Sequence, residues 1–156
     1  MTACPQAMVI GIGSDHGDDR AGWMVTDLLR RRCPETVTYR NVSTPIDMIQ
    51  WLEAADRIHV VDTATALKAS VLRFNCGLEH HRSRIAELPP SGTHGLGLNR
   101  VLKLAESLDR RTDHVNLWLV SGRQFLPFTA VSQTACEAIE ECVRQLIGEL
   151  LPRPKP

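Results

Sequence analysis

The chain has 156 residues, 43% of them hydrophobic and 23% charged, with a formal net charge of zero. This is the balance of one soluble globular domain with a real core. It gives no sign of nucleic acid or an anionic membrane as main partner. No apolar run is long enough for a membrane span, and MTACPQAMVIGIG lacks the basic and apolar regions of a signal peptide. The five cysteines, Cys4, Cys33, Cys76, Cys136 and Cys142, are odd in number and have no C-x-x-C spacing. Reduced thiols in a cytoplasmic protein fit better than a disulfide framework, and Cys136 and Cys142 read as small core residues.

In chain order, AMVIGIG is a short apolar run ending in glycines, which predicts a buried strand. Arg20 to Arg32 reads as a helix with Trp23, Met24, Leu28 and Leu29 partly buried. TVTYRNV is a strand of β-branched and aromatic residues. Thr44 followed by Pro45 predicts an N-cap with proline at the first helical position, opening a helix to about Ala54. RIHVVDTA is a second buried strand carrying Asp62 near its end, and SVLRFN is a shorter strand suited to an edge. HHRSRIAELPPSGTHG is polar and rich in Pro and Gly, and is expected to be a loop. Leu96 to Leu108 is a helix with Leu98, Val101, Leu102, Ala105 and Leu108 on one face. VNLWLVSG is a further buried strand. Thr134 and Glu137 have capping-box spacing ahead of the stripe Ile139, Val143, Leu146, Ile147 and Leu150. One domain is expected over residues 1–151, with a frayed tail over 152–156.

Strands alternating with helices predict a single α/β domain, a twisted, mostly parallel five-stranded sheet with helices on both faces. Ligands of such sheets sit beyond the carboxyl ends of the strands. If the first and third strands are neighbours, that edge carries the loop Gly13–Asp19 and Asp62. A nucleotide fits this loop poorly. Gly11, Gly13 and Gly17 match a dinucleotide fingerprint only loosely, and Asp15, Asp18 and Asp19 would repel a phosphate. Asp18 and Asp19 could simply complement the dipole of the helix that follows. That accounts neither for the glycines before them nor for Asp62. Carboxylate oxygens joined by an imidazole suit a borderline divalent metal. Among the histidines, His16 lies in the loop itself and His59 inside a strand, where it reads as a core residue. His80 and His81 point two ways, and His114 lies at the opposite end of the sheet. His94 precedes a helix on the crevice side, though spacing alone does not single it out.

GIGSDHGDDRAG, HVVDTA and SGTHGLGLNRVL, in this order and followed by VNLWLVSGRQF, resemble the hydrogenase maturation endopeptidases over nearly the whole chain. That family removes a C-terminal peptide from the large subunit of nickel-iron hydrogenases after nickel insertion. The resemblance implies Asp19, Asp62 and His94 as the catalytic, metal-engaging set; Asp18 is expected mainly to cap or charge-stabilise the first helix. It implies nickel supplied by the substrate, not a tightly held cofactor, and a large-subunit precursor as partner of a monomer. The chain departs from the pattern at Ser14, where asparagine is common, and at Arg20, where glycine is frequent. Neither H-E-x-x-H nor G-x-S-x-G is present. Two aspartates could form an aspartic-protease dyad, but a histidine beside them favours metal engagement. The alternative from another class is a non-catalytic, nickel-binding or chaperone-like maturation factor for the same precursor.

Overall fold

The computed structural model describes residues 6–33, 36–88 and 97–151. The strands are β1 (Ala7–Ile12), β2 (Val37–Val42), β3 (Arg57–Ala64), β4 (Val71–Asn75) and β5 (Val115–Ser121). The helices are α1 (Ala21–Arg32), α2 (Glu79–Ala86), α3 (Leu98–Ser107) and α4 (Gln133–Leu150). The strands form one sheet in the order β2-β1-β3-β5-β4. Only β4 runs antiparallel, against β5, and it lies at an edge as its short sequence suggested. β1 and β3 are neighbours in parallel register, with Gly11 beside Val61.

Alternation along the strands sorts the core into two layers. Met8, Ile10, Ile58, Val60, Leu117 and Leu119 face one side and pack on Met48, Leu52, Ile85, Val101, Leu102 and Ala105. Val9, Val61, Trp118 and Val120 face the other and pack on Val25 and Leu29 of α1 and on Ile139, Val143 and Leu146 of α4. Each of these aliphatic side chains contributes about 1.5–3 kcal/mol on burial. Because β1 is covered on both sides, all of its residues are buried, which is why it reads as an uninterrupted apolar run. The helix α1 approaches the sheet through Gly22. A Cβ there would lie 2.8 Å from the Val61 carbonyl oxygen and would overlap that of Ile12.

Several expectations are corrected. The segment after Thr44 is a 3₁₀ helix, Pro45–Trp51, and the Thr44 side chain caps no backbone amide. Its hydroxyl donates instead to Asp47 Oδ2 at 3.0 Å. The stretch beginning HHRSRIAE is not all loop, because α2 occupies residues 79–86 of it and its approach. Only Ile85 of α2 is buried, too little to mark a helical period. The N-cap of α4 is Ser132, whose hydroxyl accepts from the Ala135 amide at 3.2 Å. Thr134 and Glu137 therefore lie inside the helix, where Glu137 accepts from the Gln133 side chain. Residues 152–156 and Cys4 lie outside the described residues, and Cys33, Cys76, Cys136 and Cys142 are free thiols. No helix among the described residues is long and apolar enough to cross a membrane.

Candidate functional site

The loop after β1 is fixed at its start by the Gly13 amide, which donates to the Val42 carbonyl at 3.0 Å. At its far end Gly17 has φ +56°, a conformation that suits glycine. The space also demands it, since a Cβ would stand 2.6 Å from the Thr129 hydroxyl. From there a short 3₁₀ turn, Gly17–Arg20, leads into α1 and sets the two acids. Both are buried: Asp18 is 0% exposed and Asp19 2%.

Their partners differ. Asp18 Oδ2 accepts from the amides of Arg123 and Gln124 and from the Ser132 hydroxyl at 2.6, 2.9 and 2.6 Å. Its Oδ1 accepts from the Ser132 amide at 2.6 Å. Burial alone would raise this carboxyl, but these donors outweigh it and hold it below the usual carboxylate range. Asp18 thus anchors the segment after β5 and the start of α4, where the sequence suggested only a complement to the dipole of the helix that follows. Asp19 Oδ2 accepts from the Ser14 hydroxyl at 2.6 Å. The same hydroxyl accepts from the His16 amide at 3.2 Å, and the Ser14 amide donates to the Asp19 carbonyl at 3.1 Å. Ser14, one of the departures noted in the sequence, therefore orients Asp19.

Asp62 is 0% exposed near the carboxyl end of β3, and its Oδ1 accepts from the Thr63 amide at 2.8 Å. The Thr63 hydroxyl donates to the Asp18 carbonyl at 3.1 Å, tying the end of β3 to the acid turn. Gly122 completes this junction, because a Cβ there would stand 2.6 Å from the Thr63 methyl and 3.1 Å from Asp18 Cβ. Asp19 and Asp62 are thereby brought to one edge of the sheet. His94 falls within residues 89–96, outside the described residues. His16, half-buried, holds the N-cap position of the acid turn at the same edge, where its carbonyl, not its imidazole, accepts from the Asp19 amide at 3.0 Å.

The other histidines lie elsewhere. His59 is a core residue, with Nδ1 accepting from the Trp118 indole at 3.0 Å. Burial, with smaller effects from Arg57 and Arg73, pushes its pKa down to about 4. His81 lies in α2, its Nδ1 accepting from the Asn75 amide at 2.8 Å. His114 precedes β5 at the opposite end of the sheet, its Nε2 2.5 Å from the Leu52 carbonyl oxygen. Among the described residues no group of three or more His, Cys, Asp or Glu side chains is arranged to hold a metal.

No protein-family model matches this chain, and no curated protein does. Solved structures do. The [NiFe] hydrogenase maturation protease HybD of Thermococcus kodakarensis superposes with a TM-score of 0.75 at 17% identity, over 94% of this chain and 99% of that one. The hydrogenase 2 maturation peptidase of a Thaumarchaeota archaeon has a TM-score of 0.64 at 26% identity, over 93% and 97%. By fold the chain is similar to the hydrogenase maturation proteases. The hydrogenase maturating endopeptidase HybD of E. coli agrees, with a TM-score of 0.70 at 18% identity over 93% and 91%. In this fold the acid turn, the end of β3 and the segment after β5 meet at one edge. Sequence reasoning placed the loop Gly13–Asp19 and Asp62 at this edge from their strand ends. It missed Ser14 and Ser132. For Ser132 a local signal existed, a serine three residues ahead of the Ala135 amide it caps.

Proposed function

We propose that this chain is a maturation endopeptidase that removes the C-terminal peptide of a nickel-iron hydrogenase large-subunit precursor once nickel is in place. The observation that carries the reading is the pair of buried carboxylates, Asp19 and Asp62, on separate elements at the carboxyl edge of the sheet. In this reading their oxygens and the imidazole of His94 engage the nickel of the substrate, a donor set suited to a borderline divalent ion. Engagement positions the scissile peptide beside the acids, and most of the gain comes from that alignment. Ser14 keeps the Asp19 carboxylate turned for the task through its 2.6 Å hydrogen bond. Because the ion arrives with the precursor, cleavage is conditional on nickel insertion. An enzyme of this kind works as a monomer in the cytoplasm and keeps no ion of its own.

The test is to mix the purified protein with nickel-loaded and nickel-free precursor and follow loss of the C-terminal peptide by mass. The loaded precursor is cut and the empty one is not, and Asp19→Asn slows cutting by about 100-fold or more. Binding of loaded precursor without cleavage would establish the non-catalytic maturation factor instead. Efficient cutting of empty precursor, or one stoichiometric ion surviving chelator dialysis of the isolated protein, would move it to the conventional metalloproteases.

A further inference from the structure

The segment after β5 carries the two most exposed large apolar side chains among the described residues, Leu126 at 69% and Phe128 at 104%. A solvated loop has no need of them, and Phe128 is moreover held at φ +60°, a conformation that bulky residues rarely adopt. The segment is firmly held. Asp18 takes the amides of Arg123 and Gln124 at one end and of Ser132 at the other. The Gln124 carbonyl accepts from the Asp18 amide at 2.6 Å. Within the loop the Gln124 side chain donates to the Ala130 carbonyl at 3.0 Å, and the Thr129 hydroxyl to that of Leu126 at 2.6 Å. Phe125 turns inward over Gly122, and Pro127 fixes its own φ.

A rigid loop that presents an aromatic and an aliphatic side chain to solvent, nearly free of charge and pinned to the residue before Asp19, has the make-up of an interface core, where aromatics including Phe are enriched and charges depleted. Arg123 is the only charged residue from Gly122 to Cys136, so the loop lacks the basic cluster that an anionic lipid surface would select. We infer that Leu126 and Phe128 form the knob by which this protein docks on its protein substrate, seated in an apolar socket on the folded body of the precursor. The inference rests on the protease reading above and adds to it the surface that sets affinity. The acids act on the bound ion and peptide, while the knob, reached through Asp18, fixes where the precursor body sits.

The test is steady-state cleavage of a nickel-loaded precursor by wild type and by the double variant Leu126→Ser, Phe128→Ser. Asp18, Gln124, Thr129 and Ser132 are left in place, so the thermal midpoint is expected to hold. KM rises roughly tenfold or more, as truncation of a hot-spot aromatic requires, while kcat stays about the same. Phe128→Trp, with Leu126 kept, retains the wild-type KM. A double variant with unchanged KM, or with lowered kcat at unchanged KM, overturns the docking surface while leaving the protease reading intact. A wild type that dimerises through this face, with a monomeric double variant, assigns it to a second copy and also overturns the inference. A wild type that cuts no nickel-loaded precursor refutes the protease reading itself, and the docking surface with it.

Discussion

Replacing Asp18 by asparagine exchanges one carboxylate oxygen for an NH2 group at nearly constant volume, yet the site is built around the charge. The carboxylate accepts four hydrogen bonds, three at Oδ2 and one at Oδ1. With the amide oxygen placed at Oδ2, those three bonds survive but lose their ionic character, which is worth about 0.5–1 kcal/mol each. The amide nitrogen then faces the Ser132 amide, donor against donor, and a buried unsatisfied group costs about 1–3 kcal/mol. Removing a buried charge also removes part of its desolvation penalty, so the expected net loss is about 3 kcal/mol. A helix-dipole role alone would give about 0.3–1 kcal/mol. For a chain of this size the loss corresponds to roughly 6–12 °C in Tm. Urea unfolding at neutral pH measures it, and hydrogen exchange at the Arg123, Gln124 and Ser132 amides locates it. The pH dependence has a definite sign. A carboxyl held below its ordinary 3.8 stabilises the fold above that value, and the benefit is lost as pH falls through the lower folded value. The gap between wild type and Asp18→Asn therefore closes in acid. A loss below about 1 kcal/mol, with exchange unchanged at the three amides, would falsify the anchoring role.

Two further outcomes follow from the core. His59, with its pKa moved from 6.5 to about 4, stays neutral in the fold while the unfolded chain takes up a proton. The His59 contribution to stability is therefore constant above about pH 6.5 and falls by about 3 kcal/mol as pH drops toward 4. His59→Leu should remove that part of the slope in urea midpoints measured across the range, and an unchanged slope would assign the acid sensitivity elsewhere. Gly22→Ala should destabilise by about 1–3 kcal/mol through overpacking, because its methyl group enters the space of the Ile12 and Val61 carbonyls. An unchanged urea midpoint would mean that α1 can slide on the sheet.

The layers and the buried strands were legible because the runs from Ala7, Arg57 and Val115 are apolar and bounded by breakers, whereas the strand order was not, and β1 beside β3 stood only as a condition. Asp62 was legible for the same reason, as an acid closing such a run. What escaped reading was local structure made by few contacts. α2 is fastened by one buried residue, Ile85, and by the His81 bond to Asn75, and neither leaves a periodic trace. The 3₁₀ helix after Thr44 begins with the same proline signal as an α-helix. Adjacent acids look alike in a sequence, and Asp18 and Asp19 were separable only through partners. Those of Asp18 lie far along the chain, whereas Ser14 is near Asp19 but carries no motif of its own. His94 was singled out only through the family resemblance, and it lies outside the described residues.

The bonds that hold Asp18 join it to residues 105, 106 and 114 positions further on. This gives the protein a timetable. During synthesis the acid loop emerges among the first residues, yet its carboxylate has no donors until the segment after β5 and the cap of α4 have been made. Until then the ionised Asp18 has to stay in water, and the loop around it cannot close. Contacts of such sequence separation form late and slowly. This edge is therefore completed near the end of folding, by the first loop and the last helix together, and a chain stalled before Ser132 has all five strands but not the donors that hold Asp18.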